Sequence, residues 1–200
     1  MRCNLKIYYK MLTEERINQN YQLFISRLSG MGINVDSLVE EFGDLIKEAP
    51  AATTVDSGIA YKGGLLNHVM RVVCRYAVEI NKSLPDNLKV DNNTLVKVCL
   101  LHQISKAVMF VPNDDDWQIK NRGIVYKYAE LSGALKCGER SLVICNNHGI
   151  TFSEIESEAM RILDREPTDD QARYFSSPLS IIIKQANELA ILEAKSTIKK

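Results

Sequence analysis

The sequence predicts an all-α domain, and three observations predict it. Apolar residues recur at three- and four-residue spacing through seven segments. No segment shows the sustained apolar–polar alternation of a half-buried strand. Several helical segments are also preceded by residues that cap helix starts, or bounded by Gly and Pro.

The first helix is predicted from Thr13 to Leu28, capped by Thr13, with Ile17, Tyr21, Phe24, Ile25 and Leu28 on one face and Gly30 and Gly32 after it. A second, capped by Asp36, carries Leu38, Val39, Phe42, Leu45 and Ile46. Glu48 to Gly64 holds Pro50, Gly58, Gly63 and Gly64 and reads as a long loop. Leu65 to Lys82 forms the third helix, with Leu65, Val69, Val72, Val73, Tyr76 and Ile80 as its stripe and Pro85 beyond it. The fourth runs from Thr94 to Lys106, with Leu95, Val98, Cys99 and His102 along one face. Val111 to Arg122 is polar. A short helix is predicted from Gly138 to Asn146. Ser153 followed by Glu156 is a capping-box pattern that opens a helix ending near Leu163. Asp164 to Ser177 reads as a polar loop. The last helix starts at Ser177, with Pro178 at its first position and Leu179, Ile182, Ile183, Ala186, Leu189 and Ala190 on its buried face.

Composition sets the outer bounds. Two hundred residues, 46% of them hydrophobic, suffice for one core. Twenty-five basic residues balance twenty-five acidic ones, which disfavours a globally basic nucleic-acid binder. The five cysteines form no CxxC pair, and Cys74 and Cys99 sit in apolar helical patterns, so the sequence reads as that of a protein of a reducing compartment. The N-terminus lacks a signal-peptide pattern, and no window is apolar enough to span a membrane. A cytoplasmic location is expected.

Two of the three histidines lie on apolar helical faces: His68 in GGLLNHVMRV and His102 in VCLLHQISK. Either one alone reads as a core histidine with a hydrogen-bond partner. Taken with their flanks, they resemble the HD superfamily of metal-dependent phosphohydrolases. GGLLNHVMRV is similar to that family's first metal-ligand helix, LLHQISK to its defining His-Asp helix, and KQANELA to its final ligand helix. NRGIVYKY and GERS resemble segments between these helices. The resemblance runs from Tyr61 to Glu193. It implies an HD-domain-like helical bundle over residues 61–200, with residues 1–60 as an extra N-terminal helical extension packed on the core of a single globular unit.

The departures bear on function. Where the family has metal-binding carboxylates, this chain has Gln103 and Asn187; His68 and His102 are retained. Two further family histidines would fall at Cys137 and near Leu163. Amide oxygens are neutral, and hard divalent cations prefer anionic oxygens, so the exchange removes two negative charges from the ligand shell. No cofactor is expected, and any divalent metal would be held weakly. The same exchange opens the pocket to phosphate, because no carboxylate repels it. Lys106, four residues after His102, shares its face on a continuous helix. Arg122 and Lys127 flank the same region, and Tyr126 and Tyr128 offer rings for a base to stack on; the alternative is that these are solvated cations and surface-anchoring aromatics.

Weaker signals read structurally. Asp114, Asp115 and Asp116 lack EF-hand spacing. Cys137 would need an adjacent base to act as a nucleophile, and the sequence does not bring His148 to it. The expectation is therefore a degenerate, catalytically inactive HD-like protein. Its ligand site is drawn from His68, His102, Gln103, Lys106, Arg122, Tyr126, Lys127 and Asn187, for a nucleotide or other phosphate compound, or it acts through a protein partner. A working phosphohydrolase with an atypical ligand set and a structural protein with a vestigial pocket are the rivals. A homo-oligomer is compatible with the sequence.

Overall fold

The computed structural model describes residues 12–164 and 177–198; Cys3 and most of the predicted Asp164–Ser177 loop lie outside them. Helices dominate. Helix α1 (Glu14–Gly30) starts as the sequence predicts, with the Thr13 side chain accepting from Arg16 N at 3.2 Å. Helix α2 (Asp36–Glu48) corrects the predicted cap. Asp36 is its first residue and Val35 its cap, while Asn34 Oδ1 accepts from Asp36 N. Phe24, Leu28, Leu38 and Ile46 join the same hydrophobic cluster as the later helices.

The predicted third helix is three pieces in one: α3 (Gly64–His68), a π-helical turn (Val69–Val73) and α4 (Cys74–Ser83). Within the turn, Cys74 N–H reaches back five residues to Val69 O. Such turns frequently mark functional sites, and this one begins at the residue after His68. Gly63 precedes it at φ 74°, where a Cβ would also strike Ile17.

The fourth helix ends earlier than predicted. Helix α5 (Asn92–Leu101), capped by Asp91, gives way to tight turns over residues 102–105 before α6 (Lys106–Met109). The bonds Ile104 N to Leu101 O, Lys106 N to Gln103 O and Ala107 N to Ile104 O each span three residues. Lys106 therefore does not reach its place as the fourth residue along a continuous α-helix.

The polar stretch that follows is more ordered than its composition suggests. Strands β1 (Phe110–Pro112) and β2 (Tyr126–Tyr128) pair antiparallel around α7 (Asp116–Arg122), which Asp115 caps. Helices α8 (Cys137–Asn147), α9 (Glu154–Arg161) and α10 (Pro178–Ser196) complete the fold. The Ser153–Glu156 capping box and the Ser177 cap are both present. Leu189, predicted to be buried, is 40% exposed, while Leu179, Ile182, Ile183, Ala186 and Ala190 face the core. Among the described residues no helix is long and apolar enough to cross a membrane.

A cavity of imidazoles, amides and lysines

A cavity of about 380 Å³ opens where α3, the α5–α6 turn, the start of α8 and α10 meet. His68, His102, Gln103, Lys106 and Asn187 all line it. Residues separated by as many as 119 positions thus converge.

The hydrogen bonds of all but His102 form one chain. His68 Nε2–H donates to Asn187 Oδ1 at 3.3 Å, and Gln103 Nε2 donates to the same oxygen at 3.2 Å. Gln103 Oε1 accepts from Lys106 Nζ at 2.8 Å, and Lys106 Nζ also donates to the carbonyl of Ala51 at 2.7 Å. Two carboxylates at positions 103 and 187 would repel each other without a cation between them. The two amides link directly, because an amide carries its own donor. His102 Nδ1–H donates to Cys99 O at 2.9 Å, the last-turn carbonyl that the tight turn leaves within reach.

The imidazoles are neutral. Burial, the Lys106 charge and the neighbouring imidazole push His102 down to about 3; burial and Lys106 push His68 down to about 4. Each keeps one nitrogen lone pair with no hydrogen-bond partner: His68 Nδ1 and His102 Nε2. Lys106 is likewise pushed down by burial. It forms no ion pair among the described residues. Two of its three ammonium protons go to neutral acceptors.

Two charged residues of the lining were missed from the sequence. Lys195 follows Asn187 and Ile191 at four-residue steps along α10, and all three line the cavity. That spacing was readable once Asn187 was singled out. Asp164 supplies a carboxylate, but turns it to the start of α8, where Oδ2 accepts from Gly138 N at 2.6 Å and Glu139 N at 3.2 Å. Burial raises its pKa against those bonds. Gly138 is required there, since a Cβ would meet Met160 O at 2.2 Å.

Other predicted site residues lie elsewhere. Arg122, Tyr126 and Lys127 are not among the cavity lining. The hairpin turns them away: Lys127 Nζ bonds Asp114 Oδ1 at 2.5 Å, and the Arg122 guanidinium packs 5.1 Å from the Trp117 ring centre. Tyr128 is 67% exposed and stacks edge-on against Phe110. Cys137 does line the cavity, beside Ser105 Oγ at 3.3 Å, but burial pushes its thiol up. His148 sits at the far end of α8, bonded to Ser37 Oγ at 2.8 Å, so it is no base for Cys137.

The donor set does not fit a hard divalent cation. Among the described residues no group of three His, Cys, Asp or Glu side chains gathers to hold a metal. His68 Nε2 is already committed to Asn187, and an ammonium stands beside both imidazoles. Comparison with protein-family models, with curated proteins and with solved structures gives no significant match in any of the three.

Proposed function

We propose that the chain is a degenerate, catalytically inactive relative of the HD phosphohydrolases, and that its cavity binds a phosphate-containing ligand, a nucleotide in the first instance, directly and without metal. One observation carries this reading: the Lys106 ammonium lines the cavity with neutral acceptors on two sides and no carboxylate partner among the described residues. An unneutralised cation withheld from bulk water is unfavourable, and an anion entering the cavity relieves it. Lys195 adds a second positive charge to the lining. The amides at 103 and 187 remove the repulsion that two carboxylates would exert on phosphate. The order of the three histidine and amide segments supports the kinship with the HD proteins.

Calorimetric titration of mono-, di- and cyclic nucleotides in the presence of chelator tests the proposal. Wild type is expected to bind at least one, more weakly as salt rises. Lys106→Ala is expected to weaken binding by about ten- to a hundredfold, the loss of one charge-assisted hydrogen bond. A wild type that binds no phosphate compound, or binds one only when metal is supplied, overturns the reading. In the first case function would pass to a protein partner; in the second, to a working enzyme.

A further inference from the structure

A larger cavity, of about 700 Å³, lies between α1, the π-helical turn, α4 and the start of α5, and it shares no lining residue with the first. Three arginines line it: Arg27 from α1, Arg71 from the π-helical turn and Arg75 from α4. Arg75 is neutralised by Glu193 and lies over the Tyr76 ring, 4.8 Å from its centre. Arg27 and Arg71 have no such partner; neither forms an ion pair among the described residues. Glu79, the carboxylate of the lining, pairs with Lys82 instead.

Arg71 is held in place. Its Nε donates to Asn20 Oδ1 at 2.8 Å, and Asn20 is 1% exposed. That bond fixes the guanidinium while leaving its two terminal nitrogens free to donate. Burial and the neighbouring charges of Arg16 and Arg27 depress the Arg71 pKa, which reports like charges gathered without relief. The π-helical turn sets the position of Arg71 on this wall, only two residues from its start. Beside the guanidiniums the lining is apolar, built by Leu23, Met31, Met70, Val78 and Val96. Guanidiniums recognise planar and tetrahedral oxyanions through paired N–H donors, and the volume suits a small molecule.

We propose that this groove is a second ligand site. It takes a small molecule carrying a phosphate or carboxylate on an apolar body. The oxyanion bridges Arg27 and Arg71, and the body lies on Leu23, Met31, Met70 and Val96. The site stands independently of the central cavity, since no residue is common to both.

The test uses 1-naphthyl phosphate and 1-naphthoate, which share an aromatic body and differ only in the oxyanion. Each is titrated calorimetrically into the full chain carrying Lys106→Ala, so that the central cavity is disabled. At least one is expected to bind saturably, and the better of the two identifies the oxyanion class. Adding Arg27→Gln is expected to weaken it by about tenfold or more. Arg27 is exposed and bonds nothing that the fold depends on, so its melting temperature should match that of the parent. Arg71→Gln should weaken binding at least as much; because it also releases Asn20, Arg27→Gln decides if that variant unfolds. Absence of saturable binding by both compounds overturns the proposal. So does binding that survives Arg27→Gln undiminished, which would place the ligand elsewhere.

Discussion

Lys106 and Lys127 show how differently one residue type is used in two regions of the chain. Lys127 sits on the hairpin, exposed, with Asp114 as its counter-charge and water around both. Lys106 sits in the cavity wall, bonded to a backbone carbonyl and a side-chain amide. In sequence both are lysines near aromatic or histidine-bearing segments, and both are candidate phosphate ligands. The fold separates them by what it withholds. At the hairpin neither water nor counter-ion is missing, so an arriving anion gains little. In the cavity no counter-ion pairs with Lys106 among the described residues, so on the proposed reading an arriving anion gains more there.

If the cavity is the region where buried groups are held away from their ordinary charge states, acid should damage it first and most. His68 and His102 are neutral in the folded chain, lowered to about 4 and about 3, and both regain an ordinary imidazole pKa near 6.5 when unfolded. Below that pH the unfolded chain binds more protons than the folded one. Stability is therefore full above about pH 6.5 and declines as pH falls toward 4 and then 3, by on the order of a few kcal/mol. Urea denaturation between pH 7.5 and pH 5 tests this in a range where few carboxylates titrate. His102→Gln should flatten the decline. A decline of equal steepness in the variant would show that the imidazoles are not the groups responsible.

Asn187→Leu sharpens the contrast at smaller scale. It leaves His68 Nε2–H and the Gln103 amide without their shared acceptor, and each orphaned buried donor costs about 1–3 kcal/mol. A chemical denaturation midpoint that does not move would mean that cavity water replaces Asn187 without loss. Gln103→Asp with Asn187→Asp tests the charge logic instead. Two carboxylates in place of linked amides should raise Mn²⁺ affinity by more than the two single changes together. Titration of all four proteins checks it. Equal, negligible binding by wild type and double variant would mean that the geometry for metal is gone as well as the charge.

The helices were legible because periodicity and caps report burial directly. Phe24, Leu28, Leu95, Val98, Ile182 and Ile183 all reach the core, and Thr13, Ser153 and Ser177 all cap. What escaped were places where the backbone leaves the α period without a change of composition. VMRVV reads as ordinary helix, yet it winds as a π-helical turn. HQIS carries no Gly or Pro, yet α5 stops at Leu101. Leu189 fits the apolar period, yet it is 40% exposed while its neighbour Ala190 is buried. The convergence of His68, His102, Gln103 and Asn187 was readable from motif order. Lys195 is legible only through Asn187, by four-residue steps along α10, whereas the turn of the Asp164 carboxylate to the start of α8 follows from packing alone. Arg122, Tyr126 and Lys127 were drawn in by closeness in sequence, which a hairpin of two short strands is free to undo.

The smallest expected effect is also the sharpest control on the comparison. Lys127→Ala removes a cation that the sequence offers, after Lys106, as a further candidate phosphate ligand. Its ion pair with Asp114 is solvent-exposed, and pairs of that kind often contribute nothing measurable to stability. The variant should keep the wild-type melting temperature. It should also bind nucleotide as wild type does, because Lys127 is outside the lining of the cavity. Lys106→Ala, carrying the same formal change of charge, should lose most of the affinity. Long-range attraction by net charge would weaken both variants alike at low salt and neither at high salt. A difference that persists at high salt would instead locate the recognition in the contact at Lys106. Equal losses in the two variants would break the distinction between the enclosed lysine and the solvated one, and with it the reading of the cavity as a phosphate site.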